Sequence, residues 1–401
     1  MTPRTPTAAA VQVSGAPAFR VRSLVLTDFR TYARLKLDLD GAGGLVVLTG
    51  PNGSGKTNVL EALSYLGPGR GLRAARVVEP TRWGAEPAAP GMRPAWAVAA
   101  TVDGPAGARH LGTGLDPDPT APERRLIHVD GASARAQGRL AGACAVQWLT
   151  PPMERLFQDG AAGRRKFIDR VAYGLDAQHA GRVQAYEQTV RERARLLAFE
   201  PAQRDRAWIE TLEAQLAESG VAIACARTDA AGRLDAACRD SRGPFPGARV
   251  AMTGAVEDWL AEMPALAAED RLRRALVAAR ERDALIGGAG AGPHKSDLAV
   301  VHAPKDQPAE ACSTGEQKAL LIALVLGAAD LIREAQGARP ILLLDEVAAH
   351  LDRVRREALF ASLLDSGTQA WLAGADREPF AALRGTARFF AVADGAMEPL
   401  P

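Results

Sequence analysis

Apolar and polar positions alternate at the start of the chain and predict strands there. FRVRSLVLTDF, residues 19–29, and ARLKLDLDG, residues 33–41, alternate between apolar and mostly charged side chains, which is typical of half-buried strands. GLVVLTG, residues 44–50, is apolar almost throughout and predicts a parallel strand buried on both faces. A helical period follows directly, because TNVLEALSYL, residues 57–66, places its valine and leucines on one face.

The chain then changes character twice. Residues 73–148 are rich in Gly, Pro and Ala with brief strand-like pieces, which predicts an irregular antiparallel layer. Residues 182–199, 206–239 and 271–286 carry apolar residues at helical spacing and predict helices with solvated outer faces. Even ~35 helical residues span only about 50 Å, and no heptad repeat is sustained, so a long coiled-coil arm is excluded. A second buried strand, PILLLDE, begins at Pro340.

These patterns predict an α/β fold that is interrupted by a helical insertion. We expect a discontinuous nucleotide-binding head at residues 19–151 and 287–401, with a mixed sheet, helices and an antiparallel β layer. Residues 152–286 are expected to form an inserted α-helical lobe. Residues 1–18 are rich in Pro, Ala and Thr and are expected to be a flexible leader.

Composition narrows the classes of protein without choosing among them. The chain has 401 residues, 47% hydrophobic and 24% charged, as soluble globular proteins do. Its net charge is only +2, so any surface for nucleic acid must be local. The four cysteines lack zinc or redox spacing and are expected to be buried thiols in a reducing compartment. We find neither a secretory signal nor an apolar run of about 18 residues, and therefore expect a cytoplasmic protein without a membrane partner.

A phosphate-binding loop follows the third predicted strand. GPNGSGKT, residues 50–57, matches G-x-x-x-x-G-K-[ST] in full and lies between a predicted strand and a predicted helix. Its glycines let the backbone close around phosphates, Lys56 reaches the β and γ oxygens, and Thr57 can ligate Mg²⁺. The residues expected to bind ATP are Gly50, Pro51, Asn52, Gly53, Ser54, Gly55, Lys56, Thr57 and Asn58.

The second buried strand ends in two acids. ILLLDE, residues 341–346, supplies Asp345, which is expected to hold Mg²⁺ together with Thr57. Glu346 can orient or deprotonate an attacking water. Lys56 and Glu346 are therefore the expected catalytic residues of an ATPase.

Two further motifs resemble those of ATP-binding-cassette ATPases. STGEQ, made of Ser313, Thr314, Gly315, Glu316 and Gln317, resembles their signature loop, with Thr and Glu where glycines are usual. AHLD follows at the spacing of their D-loop and ends at Asp352. In that class each signature closes over the nucleotide of a second head, so the resemblance implies a head-to-tail homodimer. Ser313 also suits a helix N-cap, and both roles are compatible.

Longer segments resemble one family within that class. LTDFRTY, GRGLR, GAAGRRKFIDR, GPHKSDL and STGEQKALL occur in order between residues 20 and 376 and are similar to the RecF family of bacterial DNA repair proteins. Lys295 and Ser296 depart from the family's more usual Arg and Asp, and Gly374 stands where its switch residue is polar. Gln147 is the candidate for the Q-loop.

The resemblance implies an ATP-gated DNA clamp. ATP would drive dimerisation, the dimer would bind DNA at gaps or junctions of single and double strands, and weak, DNA-stimulated hydrolysis would release it. RecR and RecO are the implied partners, and loading of RecA is the implied purpose. Candidate DNA contacts are Arg70, Arg73, Arg76, Arg164, Arg165 and Lys166, for each of which a solvated surface position is the alternative.

Three other functions share these motifs. The nucleotide-binding subunit of a transporter is argued against by the helical insertion and by the missing switch histidine. A scaffold that binds ATP without hydrolysing it remains open. A chromosome-organising ATPase with long arms is disfavoured, because the insertion is too short.

Overall fold

The structure is a computed structural model that describes residues 17–39, 44–134, 138–348 and 351–401. Most of the expected leader, residues 1–18, lies outside this part of the chain. Within it, Ala18 forms a parallel bridge with Arg339.

A mostly parallel sheet forms the centre of the head. Its order among the described strands is β15-β14-β3-β13-β12-β8, and only β15 is antiparallel to its neighbour. The strands are β3 (Leu45–Thr49), β8 (Val146–Leu149), β12 (Ile341–Asp345), β13 (Ala370–Gly374), β14 (Ala387–Ala393) and β15 (Ala396–Leu400). The predicted burial on both faces is confirmed, since Val46 and Val47 of β3 belong to two different core clusters.

An antiparallel sheet faces the central sheet and confirms the predicted β layer. Its order is β2-β1-β4-β5-β6-β7 in the described residues. The strands are β1 (Arg20–Phe29), β2 (Tyr32–Asp38), β4 (Ala97–Gly104), β5 (Gly107–Leu115), β6 (Arg125–Val129) and β7 (Ala132–Ser133). Helix α1 (Lys56–Ser64) shares a core cluster with both sheets, and its residues from Val59 onwards are all buried.

Among the remaining helices, the first shares a core cluster with α1 through Leu140, and the others cover the opposite face of the central sheet or form the insertion. They are α2 (Gly138–Ala141), α3 (Ala161–Leu175), α4 (His179–Leu197), α5 (Arg206–Cys238), α6 (Ala255–Glu262), α7 (Ala265–Ala278), α8 (Arg280–Ile286), α9 (Thr314–Gln336) and α10 (Arg353–Ser366). Helices α4 and α5 confirm two predicted helices, whereas the third is divided into α7 and α8 at Ala279. None of the described helices is long and apolar enough to cross a membrane.

One strand inside the insertion was not expected. Strand β9 (Ala248–Thr253) pairs with β10 (Asp297–His302), which in turn pairs with β11 (Gln307–Pro308). Residues 152–286 are therefore not helical throughout. Ala248 and Val250 alternate with exposed residues and pack into the core beside α5 and α9, but a pattern of six residues is too short to indicate a strand.

Two further expectations about side chains need correction. Cys144, Cys238 and Cys312 are buried as expected, whereas Cys225 is exposed on α5. The outer faces of the insertion's helices were expected to carry solvated charges, but Arg193 of α4 is 0% exposed.

Candidate nucleotide-binding site

The predicted phosphate loop connects β3 to α1. Gly55 has φ 113°, and a Cβ atom there would lie 2.7 Å from the Tyr32 hydroxyl oxygen, so the turn requires glycine. Pro51, Asn52 and Gly53 are exposed at the mouth of the loop. The local chain therefore presents backbone N–H groups next to the start of a helix, as phosphate binding requires.

Lys56 lies inside the loop that it is expected to complete. Its Nζ donates to the carbonyl oxygens of Gly50 at 2.6 Å and Pro51 at 2.9 Å. The side chain is largely buried. The ammonium group is thus already held at the loop, where phosphate oxygens can exchange for these carbonyl contacts.

The two predicted metal ligands are in contact. Thr57 Oγ1 donates to Asp345 Oδ2 at 2.8 Å, although the residues are far apart in sequence. Asp345 Oδ1 is buried without a hydrogen-bond partner among the described atoms. A threonine hydroxyl and a carboxylate with a spare oxygen are hard oxygen donors, so these residues fit Mg²⁺.

Two opposing effects act on the Asp345 carboxyl. Burial raises its pKa, and the neighbouring Glu346 acts in the same direction. The hydrogen bond from Thr57 opposes this rise, and so do the positive charges of Lys56 and Arg73. A divalent cation would act like these positive charges: it would lower the pKa of Asp345 and favour the ionised carboxylate.

Glu346 adopts a backbone conformation that is rare for its residue type. Its φ is 55°, in the left-handed region, and its N–H donates to the carbonyl oxygen of Ala373 at 2.9 Å. The chain therefore turns out of β12 directly after Asp345, and Glu346 is only partly buried. Such a strained position at the end of a core strand is typical of a functional site.

A cavity of about 410 Å³ adjoins the phosphate loop. It is lined by Gly53 and Ser54 of the loop and by Arg30, Thr31, Arg82, Trp83, Asp394 and Gly395. Trp83 is 96% exposed. The volume of the cavity is in the range of small-molecule sites, and its lining is polar and charged apart from Trp83 and two glycines. Gly53 and Ser54 were predicted as nucleotide-binding residues, whereas the other wall residues were missed. The available signals were Arg30 and Thr31 within LTDFRTY and Trp83 within a Gly/Pro-rich segment.

A buried carboxylate behind the loop was also missed. Glu61 of α1 is 0% exposed. It accepts hydrogen bonds from Arg30 Nε at 2.9 Å, from Arg30 Nη2 at 2.6 Å and from Arg73 Nη1 at 2.5 Å. An acid within the apolar period of residues 57–66 was the available signal.

The signature-like segment lies at the start of α9. Ser313 is the N-cap, as expected, and Ser313, Thr314 and Gly315 are exposed. The Glu316 carboxylate accepts from the N–H of Ser313 at 3.1 Å and from its hydroxyl at 2.9 Å. Lys305 and these Ser313 donors lower the pKa of Glu316 to about 2. Gln317 points inward instead, since its Nε2 donates to Cys312 O at 3.0 Å.

The expected D-loop residue is linked to the signature. Asp352 is the N-cap of α10 and accepts from the Arg355 N–H at 2.9 Å. Arg355 Nη1 also donates to the carbonyl oxygen of Gly315 at 3.4 Å. Residues 349 and 350 of the same motif lie outside the described residues.

Gln147 does not lie at the phosphate loop. It is 1% exposed in β8, and its side-chain oxygen accepts from Arg170 Nε at 2.8 Å while its Nε2 donates to Arg170 O at 3.2 Å. The register of β8 turns the side chain toward α3, so the geometry gives no support to a Q-loop role. Gln158 instead contacts the signature, with its Nε2 3.3 Å from Gln317 Oε1.

The six candidate DNA contacts fall into two groups. Arg164 binds Asp297 through two hydrogen bonds of 2.7 and 2.8 Å, and Arg165 donates to Ser296 O at 2.7 Å. These two arginines hold α3 against β10, which speaks against a DNA contact for them. The exposed candidates are Arg70, Arg73, Arg76 and Lys166.

The fold and the site together define an α/β head of the ATP-binding-cassette type, with a phosphate loop after β3 and a paired acid at the end of β12. A family model described as an AAA domain matches residues 23–69. DNA replication and repair protein RecF of Mesorhizobium japonicum is 45% identical over 382 residues, which cover 94% of this chain and 97% of that protein. RecF of Rhizobium meliloti is 44% identical over 375 residues, which cover 93% and 96%.

The chain therefore belongs to the RecF family of DNA replication and repair proteins. Two solved structures agree on the fold. The recombination mediator protein RecF-ATPrS in the RecFOR pathway has a TM-score of 0.79 at 20% identity, covering 96% of this chain and 100% of that one. The corresponding RecF-ATP structure has a TM-score of 0.76 with the same identity and coverage.

Proposed function

We propose that this chain is an ATP-gated DNA clamp of the cytoplasm, whose ATP-bound heads pair head to tail on gapped DNA and part after slow, DNA-stimulated hydrolysis. The observation that carries the proposal is the contact between Thr57 and Asp345 beside the phosphate loop. It supports a Mg²⁺ site for a bound triphosphate, since Asp345 Oδ1 has no hydrogen-bond partner among the described residues.

Each part of the nucleotide has a receptor in this arrangement. The loop amides and Lys56 bind the phosphates in this proposal, and Thr57 and Asp345 would hold Mg²⁺, which would neutralise charge on the phosphate oxygens. The cavity beside Gly53 accommodates the nucleoside, with Trp83 available for stacking on the base. Glu346 orients the attacking water.

Dimerisation is supported by the positions of two helices. Helix α1 packs on one face of the central sheet, and α9 packs on the opposite face. Ser313 at the start of α9 is exposed, and a helix N-terminus attracts phosphate. A second copy's nucleotide is therefore the partner that we propose for this segment.

DNA is contacted by exposed cations in this proposal. The exposed candidates are Arg70, Arg73, Arg76 and Lys166, and contacts to the DNA backbone make binding sensitive to salt. RecR and RecO as partners, and RecA as the protein that is loaded, follow from the family alone.

Gel filtration and DNA binding test the proposal with ATP, ADP and no nucleotide. We expect the apparent mass to double with ATP only, and the affinity for a gapped duplex to rise in parallel, because ATP that bridges two heads stabilises the dimer by mass action. Lys56→Ala is the control and should lose both responses. A wild-type chain whose mass and DNA affinity ignore ATP would contradict the clamp.

A further inference from the structure

Arg73 is exposed like a DNA-binding residue but is bound like a residue of the nucleotide site. Its Nη1 donates to Glu61 Oε2 at 2.5 Å and to Asn58 Oδ1 at 2.9 Å. Both acceptors belong to α1, the helix that begins at Lys56. The side chain is 40% exposed, so one edge of the guanidinium is fixed and the other edge reaches solvent.

The first acceptor connects Arg73 to the cavity. Glu61 is fully buried and has two arginines as ion partners, Arg30 and Arg73. Arg30 lines the cavity beside Gly53. A buried carboxylate needs its charge compensated, and here the guanidinium groups of Arg30 and Arg73 do this together. Since both bind the same carboxylate, the position of one guanidinium constrains the position of the other.

The second acceptor, Asn58, connects Arg73 to the proposed Mg²⁺ site. Asn58 directly follows Thr57, and its Nδ2 donates to Thr31 Oγ1 at 3.1 Å. Its amide is thus held by Arg73 on one side and by a residue of the cavity wall on the other. A displaced Arg73 would release the side chain next to the Thr57 that contacts Asp345.

We infer that Arg73 is a positioning residue of the nucleotide site, which orients Asn58 and Glu61 for ATP hydrolysis, and not a contact for DNA. A DNA phosphate that captured Arg73 would leave buried Glu61 with Arg30 alone, and breaking one half of a buried ion pair is costly. Arg76 differs, since its side chain is 74% exposed and pairs with Glu79, which is itself exposed.

The test rests on the proposed ATPase and uses Arg73→Lys, which keeps the charge beside Glu61 but has no planar fork to serve both acceptors. We expect kcat without DNA to fall by about 10- to 100-fold at nearly unchanged KM, since small misplacements in a site have effects of this size. Rates are normalised to ATP-binding sites, so that a merely structural role, which lowers only the folded fraction, leaves kcat unchanged.

Two other arginines calibrate the measurement. Arg109→Lys is the matched control, because Arg109 is 43% exposed and pairs with Asp130 in the antiparallel sheet, and it should leave kcat and KM unchanged. Arg76→Ala is the reference for a DNA contact and should reduce the salt slope of DNA binding, measured with a non-hydrolysable ATP analogue, by about one. Arg73→Lys should keep the wild-type slope.

Three results are distinguishable. If Arg73→Lys keeps the wild-type kcat and KM but loses DNA affinity like Arg76→Ala, the inference is overturned while the proposed function stands. A wild-type chain that binds and hydrolyses no ATP overturns both. If the wild type binds ATP without hydrolysing it, the inference is overturned together with the hydrolysis in the proposed function, whereas ATP-dependent dimerisation and DNA binding still stand.

Discussion

Asp345 and Glu346 are neighbours in sequence, yet their backbone conformations differ. Asp345 ends β12 in an extended conformation and points its carboxylate at Thr57. Glu346 has φ 55°, so its side chain leaves the direction of the strand. Asp345 is thereby the carboxylate that we propose for Mg²⁺, and Glu346 is the one that we propose for the attacking water.

Glu346→Gln should separate ATP binding from hydrolysis. We expect kcat to fall by at least about 100-fold, because general-base contributions are of that order. ATP binding should persist, and the ATP-induced dimer should remain on DNA for longer. Single-turnover hydrolysis and dissociation from labelled gapped DNA measure these effects.

Glu357→Gln is the control, because Glu357 is exposed on α10 and should be silent. An unchanged dimer lifetime in Glu346→Gln would contradict the proposal that hydrolysis releases the dimer from DNA. It would favour a scaffold that binds ATP without hydrolysing it.

Residues of the site could be predicted wherever their geometry is local. The phosphate loop is eight consecutive residues, and Asp345 ends an unmistakable buried strand, so both could be recognised in the sequence. Glu61 could not, because its partners Arg30 and Arg73 come from separate segments. Gln147 could not be placed either, since the register of a strand decides which way a buried amide faces.

At the scale of elements, Arg193 holds the helical insertion together. This residue of α4 donates to Glu213 of α5 at 3.1 Å, to Asp283 of α8 at 2.8 Å and to the Leu276 carbonyl oxygen of α7 at 2.8 Å. The side chains of Arg193, Glu213 and Asp283 are each 0% exposed. Helical periodicity predicted α4 and α5 correctly but treated this charge as solvated, because a period does not show which neighbours will cover a position.

Arg193→Met should destabilise the chain by about 3–5 kcal/mol, because it removes the close ion partner of buried Asp283 and leaves Arg282 at 3.9 Å. Urea unfolding followed by circular dichroism measures the free energy of unfolding. Arg191→Met is the matched control on the same helix. Arg191 is 66% exposed and lies 3.9 Å from Glu187, so its loss should cost less than about 0.5 kcal/mol. Equal effects of the two substitutions would contradict a structural role for the buried network.

At the scale of the whole molecule, the chain is a split head with an insertion attached by shared structure. The return of a buried strand after residue 340 was enough to predict the split. The attachment was not predictable, because β9 pairs with β10 and Arg164 binds Asp297 across more than 40 and 130 residues respectively. The sheet of β9, β10 and β11 crosses the boundary at residue 287. We therefore propose residues 151 and 287 as boundaries along the sequence and not as boundaries between separate structural units.

Ser313→Arg tests how two such molecules meet. A guanidinium at the exposed start of α9 should obstruct a second head, so that ATP no longer doubles the apparent mass in gel filtration. ATP binding by the monomer should stay within about twofold of wild type, as equilibrium binding of a fluorescent ATP analogue will show.

Ser133→Arg, on the exposed edge of the antiparallel sheet, controls for added charge and should leave dimerisation intact. Loss of monomer ATP binding in Ser313→Arg would instead place the signature at the nucleotide of its own chain.

Strand β13 lies between the strand that carries the phosphate loop and the strand that carries Asp345. Just past its end the Ala375 carbonyl oxygen accepts from the Gly50 N–H, and Ala373 accepts from the Glu346 N–H. A ribosome makes the loop long before it makes this strand, and at 5–20 residues per second the interval is roughly 15–60 s. Until then the phosphate loop of the nascent chain lacks both β13 and Asp345. The proposed ATP site can therefore be complete only after nearly the whole chain has been synthesised and folded.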